Sequence, residues 1–163
     1  MMFTKYNEFF MNTAEAVAKL STAIKRKVGA IAVKDNNIIA IGYNGTPSGW
    51  DNECEYIVKS PLPYLEAKDK FLKTKPEVLH AETNMIAKIS RSTQSSEGCD
   101  VYVTTAPCLD CAKILYQSGV KRVFYKEQYK SDEGIQFLQK SSIPVIQLGN
   151  INEQDQTSTI TNG

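Results

Sequence analysis

The stretch VYVTTAPCLDCAKILYQSGVKRVFY, residues 101–125, decides the fold. Its opening residues are β-branched or aromatic and read as a strand over 101–104. Pro107 interrupts that run, residues 108–117 read as a helix closed by Gly119, and 123–125 read as a second strand. A strand, a helix and a strand in one short run imply a right-handed crossover between parallel neighbours.

Working outward, 133–139 reads as another helix and 144–148 as a last strand. Upstream, 81–89 reads as a helix. The β-rich runs 28–33 and 38–43 flank Asp35, Asn36 and Asn37, a turn-forming set that predicts an antiparallel hairpin. From 3 to 20, Tyr6, Phe9, Phe10, Thr13, Val17 and Leu20 recur at three- and four-residue steps, the period of an amphipathic helix. The fold class is α/β, with five strands in a mixed sheet flanked by helices. Residues 46–79, broken by Pro47, Pro61, Pro63 and Pro76, read as a long irregular loop with one short helix near 65–72. Loops of that length inside a compact domain are often functional. One domain over 1–148 is expected, followed by a polar, poorly ordered tail over 149–163.

Composition narrows the function. The 163 residues suit one hydrophobic core, and 42% apolar with 23% charged residues is ordinary for a globular domain. A net charge of +1 with scattered cations argues against duplex nucleic acid as a partner. The N-terminus MMFTKYNEFFMNT lacks the pattern of a secretory signal, and no apolar run approaches the roughly 20 residues of a membrane span, so a cytoplasmic protein is expected. Of 4 cysteines, Cys108 and Cys111 form a C-x-x-C pair, which in a reducing compartment points to metal binding or redox work.

Two short strings carry chemistry. His80-Ala81-Glu82 stands where a helix begins, and Pro107-Cys108-Leu109-Asp110-Cys111 stands at the start of the next. Helix N-termini favour thiolate over thiol, and two cysteines three apart on a first turn face one point. One imidazole and two thiolates leave a tetrahedral metal one open corner, the mark of a catalytic zinc site. Glu82, two residues past the His ligand, then lies beside the water at that corner without ligating the metal. A zinc ribbon needs a further Cys or His pair, whereas His80 is the single histidine and Cys54 and Cys99 stand far apart. A thioredoxin-like reading leaves Glu82 unexplained. The combination of H-x-E with P-C-x-x-C is the signature of the zinc deaminases.

Four blocks in order, KRKVGAIAV (25–33), IGYNGTPSG (41–49), HAETN (80–84) and residues 101–125, resemble the deoxycytidylate deaminases of the cytidine deaminase superfamily. The resemblance implies a three-layer α/β/α fold, hydrolysis of dCMP to dUMP and ammonia, Zn²⁺ on His80, Cys108 and Cys111, and proton transfer by Glu82. It further implies substrate contacts from Arg26, Asn44, Ala81, Thr104, Tyr129 and Lys130: Asn44 to the sugar, the Ala81 backbone to the pyrimidine O2, and Arg26, Tyr129 and Lys130 to the phosphate. A homohexamer is implied as well. So is control by dCTP as activator and dTTP as inhibitor, each carrying Mg²⁺, near Gly42, Tyr43 and Gly45. Some members hold a second, structural zinc before H-A-E. Here that segment has Cys54 but no histidine, so one zinc per subunit is expected. Rival substrates within the superfamily are a free nucleoside, tRNA adenosine or a riboflavin precursor, and a rival of another class is a non-catalytic nucleotide-binding zinc module.

Overall fold

The computed structural model describes residues 4–58 and 71–149. Helix α1 (Lys5–Ala18) leads into β1 (Gly29–Lys34) and β2 (Asn37–Tyr43), then a small ribbon of β3 (Glu55–Ile57) and β4 (Leu72–Thr74). There follow α2 (Ala81–Ser90), β5 (Asp100–Thr105), α3 (Leu109–Gln117), β6 (Arg122–Glu127), α4 (Glu133–Lys140) and β7 (Val145–Gln147). The main sheet has five strands in the order β2-β1-β5-β6-β7. β1 is antiparallel to both β2 and β5, while β5, β6 and β7 run parallel, so the sheet is mixed as its sequence pattern demands.

Strand alternation sorts the core into two faces. Ile31, Val33, Tyr102 and Phe124 point to α1, where they meet Phe10, Met11, Ala14 and Val17. Their neighbours Ala30, Ala32, Val101, Val103 and Val123 point the other way, against α2, α3 and α4. The result is three layers, α/β/α. Tyr102 and Phe124 stack with ring centroids 4.5 Å apart, and Phe10 packs on Tyr102 at 5.3 Å. The small residues have a purpose on both faces. A methyl group on Gly29 would lie 2.5 Å from the Ala18 nitrogen, and one on Gly42 2.6 Å from the Met85 nitrogen, so α1 and α2 approach the sheet backbone to backbone.

The hairpin turns through Asp35 and Asn36, whose φ values of 50° and 60° are those of a type I′ turn. At the end of α3, Gly119 adopts a φ of 78°, and the N–H groups of Gly119 and Val120 reach back to the Tyr116 and Leu115 carbonyls, a Schellman cap. The expected loop over 46–79 contains more regular structure than its prolines suggest. β3 and β4 pair within it, and Gly45 bridges to Leu79 at its base. The short helix expected near 65–72 is corrected at Leu72, which begins β4; residues 65–70 lie outside the described residues, as do 150–163 of the expected tail. Among the described residues, no helix is long and apolar enough to cross a membrane.

Candidate active site

The two motifs converge from two helix starts. His80 is the N-cap of α2 and Cys108 the N-cap of α3, both with extended backbone. Neither side chain caps its own helix, so both are free to turn outward. Cys111 sits in the first turn of α3 and is buried. The Nδ1 atom of His80 lies 3.5 Å from the Cys108 sulfur and 3.3 Å from the Cys111 sulfur. All three ligand atoms fall within 4.8 Å of one another. Zinc–nitrogen and zinc–sulfur bonds meeting at a tetrahedral angle place N and S about 3.6 Å apart, so the donor set fits zinc in both chemistry and spacing.

Electrostatics agree with ligand character. Hydrogen bonding from Cys111 and His80 brings the Cys108 pKa down to about 4, while the hydrogen bond to Cys108, with burial, drives that of Cys111 upward. In the metal-free pair Cys108 is the thiolate and Cys111 its donor. The hydrogen bond to Cys108 also raises the pKa of His80. Glu82 is 4% exposed, and burial raises its carboxyl above the ordinary carboxylate range. A carboxyl shifted upward beside a metal set is suited to both accepting and returning a proton near neutral pH.

His80, Ala81, Glu82 and Cys108 line a cleft of about 520 Å³ beyond the carboxyl ends of β5 and β6. Arg26, Asn44, Tyr129 and Lys130 line the same cleft. Its near wall is a strap over residues 21–28, stitched by hydrogen bonds. The Ser21 hydroxyl donates to the Asn44 carbonyl (2.7 Å) and accepts from the Ala23 N–H (3.2 Å). The Asn44 side chain accepts from the Val28 N–H and donates to the Arg26 carbonyl, each at 2.8 Å. Asn44 has no positive φ, so its place in GYNG is that of a clamp and not of a turn residue. Arg26 reaches across the cleft to donate to the Gln128 carbonyl at 3.5 Å, and the Lys130 ammonium lies 5.6 Å from the Tyr129 ring centre.

Other residues singled out from the sequence fall elsewhere. The Thr104 hydroxyl accepts from the Gly29 N–H at 3.2 Å on the sheet face opposite the cleft, because strand alternation gives the cleft wall to Thr105. Gly42, Tyr43 and Gly45 lie outside the cleft at the end of edge strand β2. Gly42 faces α2, and the Tyr43 ring carries the Lys88 ammonium at 5.2 Å. Cys54 lines the cleft, with its sulfur 3.5 Å from the Thr22 hydroxyl. Asn84 was not singled out from the sequence; its amide donates to the Tyr43 carbonyl at 2.9 Å and fixes the start of α2 against β2.

Residues 4–127 match the family described as the cytidine and deoxycytidylate deaminase zinc-binding region. The chain therefore belongs to that family of zinc-dependent hydrolytic deaminases. Within the family its likeness is to deoxycytidylate deaminases. It is 36% identical over 135 residues to the Homo sapiens deoxycytidylate deaminase, a match covering 80% of this chain and 71% of the human protein. The dCMP deaminase of cyanophage S-TIM5, solved in complex with dCMP and dUMP, superposes with a TM-score of 0.78 at 39% identity, covering 91% of this chain and all of that one. The chain is also 35% identical to ComE operon protein 2 of Bacillus subtilis, of whose length it spans 61%.

Proposed function

We propose that the chain hydrolyses dCMP to dUMP and ammonia in the cytoplasm, as an enzyme of pyrimidine deoxynucleotide metabolism. One observation carries this reading: a buried carboxyl, Glu82, shares a single cleft with a three-ligand metal set and with the cations Arg26 and Lys130. The cleft's size suits one mononucleotide. His80, Cys108 and Cys111 hold zinc, which when bound supplies the Lewis acidity that makes water nucleophilic near neutral pH. Glu82 takes a proton from the attacking water and passes it to N3 of the cytosine ring. The oxygen adds at C4 as a hydroxyl, and Glu82 then takes that hydroxyl's proton and gives it to the amine, so the C4–N bond breaks as the C4 carbonyl forms. Water and dCMP thus become dUMP and ammonia. The Ala81 backbone reads the pyrimidine O2, Asn44 faces the sugar, and Arg26, Tyr129 and Lys130 hold the phosphate. Thr104 stands next to Thr105 on β5, where Thr105 lines the cleft and the Thr104 hydroxyl accepts from the Gly29 N–H.

Regulation is the second part of the proposal: dCTP activates and dTTP inhibits, each with Mg²⁺, in a homohexamer, through Gly42, Tyr43 and Gly45. Two observations support it. These residues adjoin Asn44, which clamps the cleft wall, and Gly42 packs on the helix that begins with His80 and Glu82. The test is a substrate panel of dCMP, deoxycytidine and an adenosine stem-loop, run with and without each triphosphate and Mg²⁺. Preference for the unphosphorylated nucleoside overturns the substrate assignment, and indifference to both triphosphates overturns the regulatory one.

A further inference from the structure

Residues 24–26 carry no regular secondary structure, yet the strap is held rigidly enough to present Arg26 to the cleft. Asn44 fixes it from the side of the sheet. A second clamp comes from the opposite side. The Glu55 carboxylate, at the start of β3, accepts the Ile24 N–H on both its oxygens and the Lys25 N–H on one, all at 3.1 Å. Glu55 is held in place by the ribbon. It pairs with Thr74 across β3 and β4, the Lys75 N–H donates to the Cys54 carbonyl at 2.9 Å, and the Lys75 ammonium lies 3.5 Å from carboxylate oxygens of Asp51 and Glu53.

From this geometry we infer that Glu55 is a positioning residue for phosphate recognition: it latches the strap so that Arg26 meets the substrate phosphate. The inference rests on the reading of Arg26 as a phosphate ligand. It also gives the 46–79 segment a task, which is to bring one carboxylate to two backbone N–H groups that no helix or strand satisfies.

The physics offers a decisive sign. A carboxylate lining a cleft that binds an anion repels that anion, so if Glu55 acts only through its charge, removing it tightens nucleotide binding. If it acts as a latch, removing it frees the strap and weakens binding. The zinc-loaded full chain is titrated calorimetrically with dUMP, and kcat is measured at saturating dCMP, for Glu55→Ala, Glu55→Gln, Arg26→Ala and the Glu55→Ala/Arg26→Ala pair. The latch predicts about tenfold weaker dUMP binding for Glu55→Ala, and about threefold for Glu55→Gln, which keeps one acceptor oxygen. It also predicts kcat within about twofold of the parent, because Glu55 touches no reacting atom, and little added loss when Glu55→Ala is placed on Arg26→Ala. Tighter or unchanged dUMP binding in both Glu55 variants overturns the latch, as does full additivity with Arg26→Ala. If Arg26→Ala itself leaves dUMP affinity intact, the phosphate assignment fails; if Arg26→Ala weakens binding and the Glu55 variants do not, only the latch fails.

Discussion

Gly134→Ala is expected to damage the metal centre without replacing any of its three side chains. Gly134 lies in the first turn of α4, and that turn presses on the backbone of the P-C-x-x-C segment. A methyl group on Gly134 would sit 2.8 Å from the Cys108 carbonyl oxygen and 2.9 Å from the carbonyl carbon, and closer still to the Pro107 carbonyl oxygen. Carbon atoms rest about 3.5–4.0 Å apart, so the two backbones must part by roughly an ångström. Neither side yields easily, because α3 and α4 pack along their lengths and Cys108 begins α3. Ligand distances in a working zinc site hold to about ±0.2 Å, so a shift of that size at Cys108 spoils the site. Disturbing the support of a ligand costs about 10–100-fold in metal affinity. The overpacking costs about 1–3 kcal/mol of stability in addition. Competition with a chromophoric chelator reads the affinity, and urea unfolding of the zinc-loaded protein reads the stability. Gly149→Ala is the control, since nothing lies within 4 Å of the added methyl. A folded Gly134→Ala protein with the parent's zinc affinity and turnover refutes the reasoning, because α4 would then be free to retreat from the metal loop.

Three further outcomes follow from the site and the sheet. Glu82→Gln should keep its zinc and lose about 10²–10⁴-fold in turnover, and a near-normal rate in a protein of full metal content rules out its role as the proton carrier. In the metal-free protein Cys108, with its pKa lowered to about 4, stays a thiolate from pH 5 upward, whereas Cys99 is buried with its pKa raised to about 11. Iodoacetamide at pH 6 followed by peptide mass mapping should therefore mark Cys108 before Cys99, and zinc should protect Cys108; the reverse order contradicts the assignment. Gly42→Ala should lower stability by about 1–3 kcal/mol in urea unfolding by forcing α2 from β2, and unchanged stability would show that the close approach does not hold in solution.

How far the sequence could be read depended on whether a residue's signal was local. The helix expected over 3–20 forms at Lys5–Ala18, and the hairpin turns at Asp35 and Asn36 as the turn-forming residues require. His80 and Cys108 stand 28 residues apart yet lie 3.5 Å from each other, and they were legible because each is an N-cap defined by its own few neighbours. The β3–β4 ribbon gave no such sign. Its strands have three residues each, Tyr56 and Ile57 face solvent, and backbone pairing with the Lys75 ion pairs holds it in place of apolar burial. Hydrophobic periodicity cannot register an element that buries nothing. The side of β5 that faces the cleft was illegible for the opposite reason: the strand is plain, but Thr104 and Thr105 differ by one step of a period-two pattern, and Thr105 lines the cleft.

The same division runs through the function. The proposed chemistry at the ring uses His80, Glu82, Cys108 and Cys111, which two helix starts deliver as units. In the proposed reading, recognition of the rest of the nucleotide falls to Arg26, Asn44, Tyr129 and Lys130, which line the cleft from three separate loops and meet through tertiary hydrogen bonds such as Arg26 to the Gln128 carbonyl. Loop-borne contacts can be altered without disturbing the metal, so the catalytic core constrains the reaction type while the strap and its clamps constrain the substrate. A change at Glu55 or Asn44 should accordingly move substrate preference long before it moves metal binding, whereas a change at Gly134 should do the reverse.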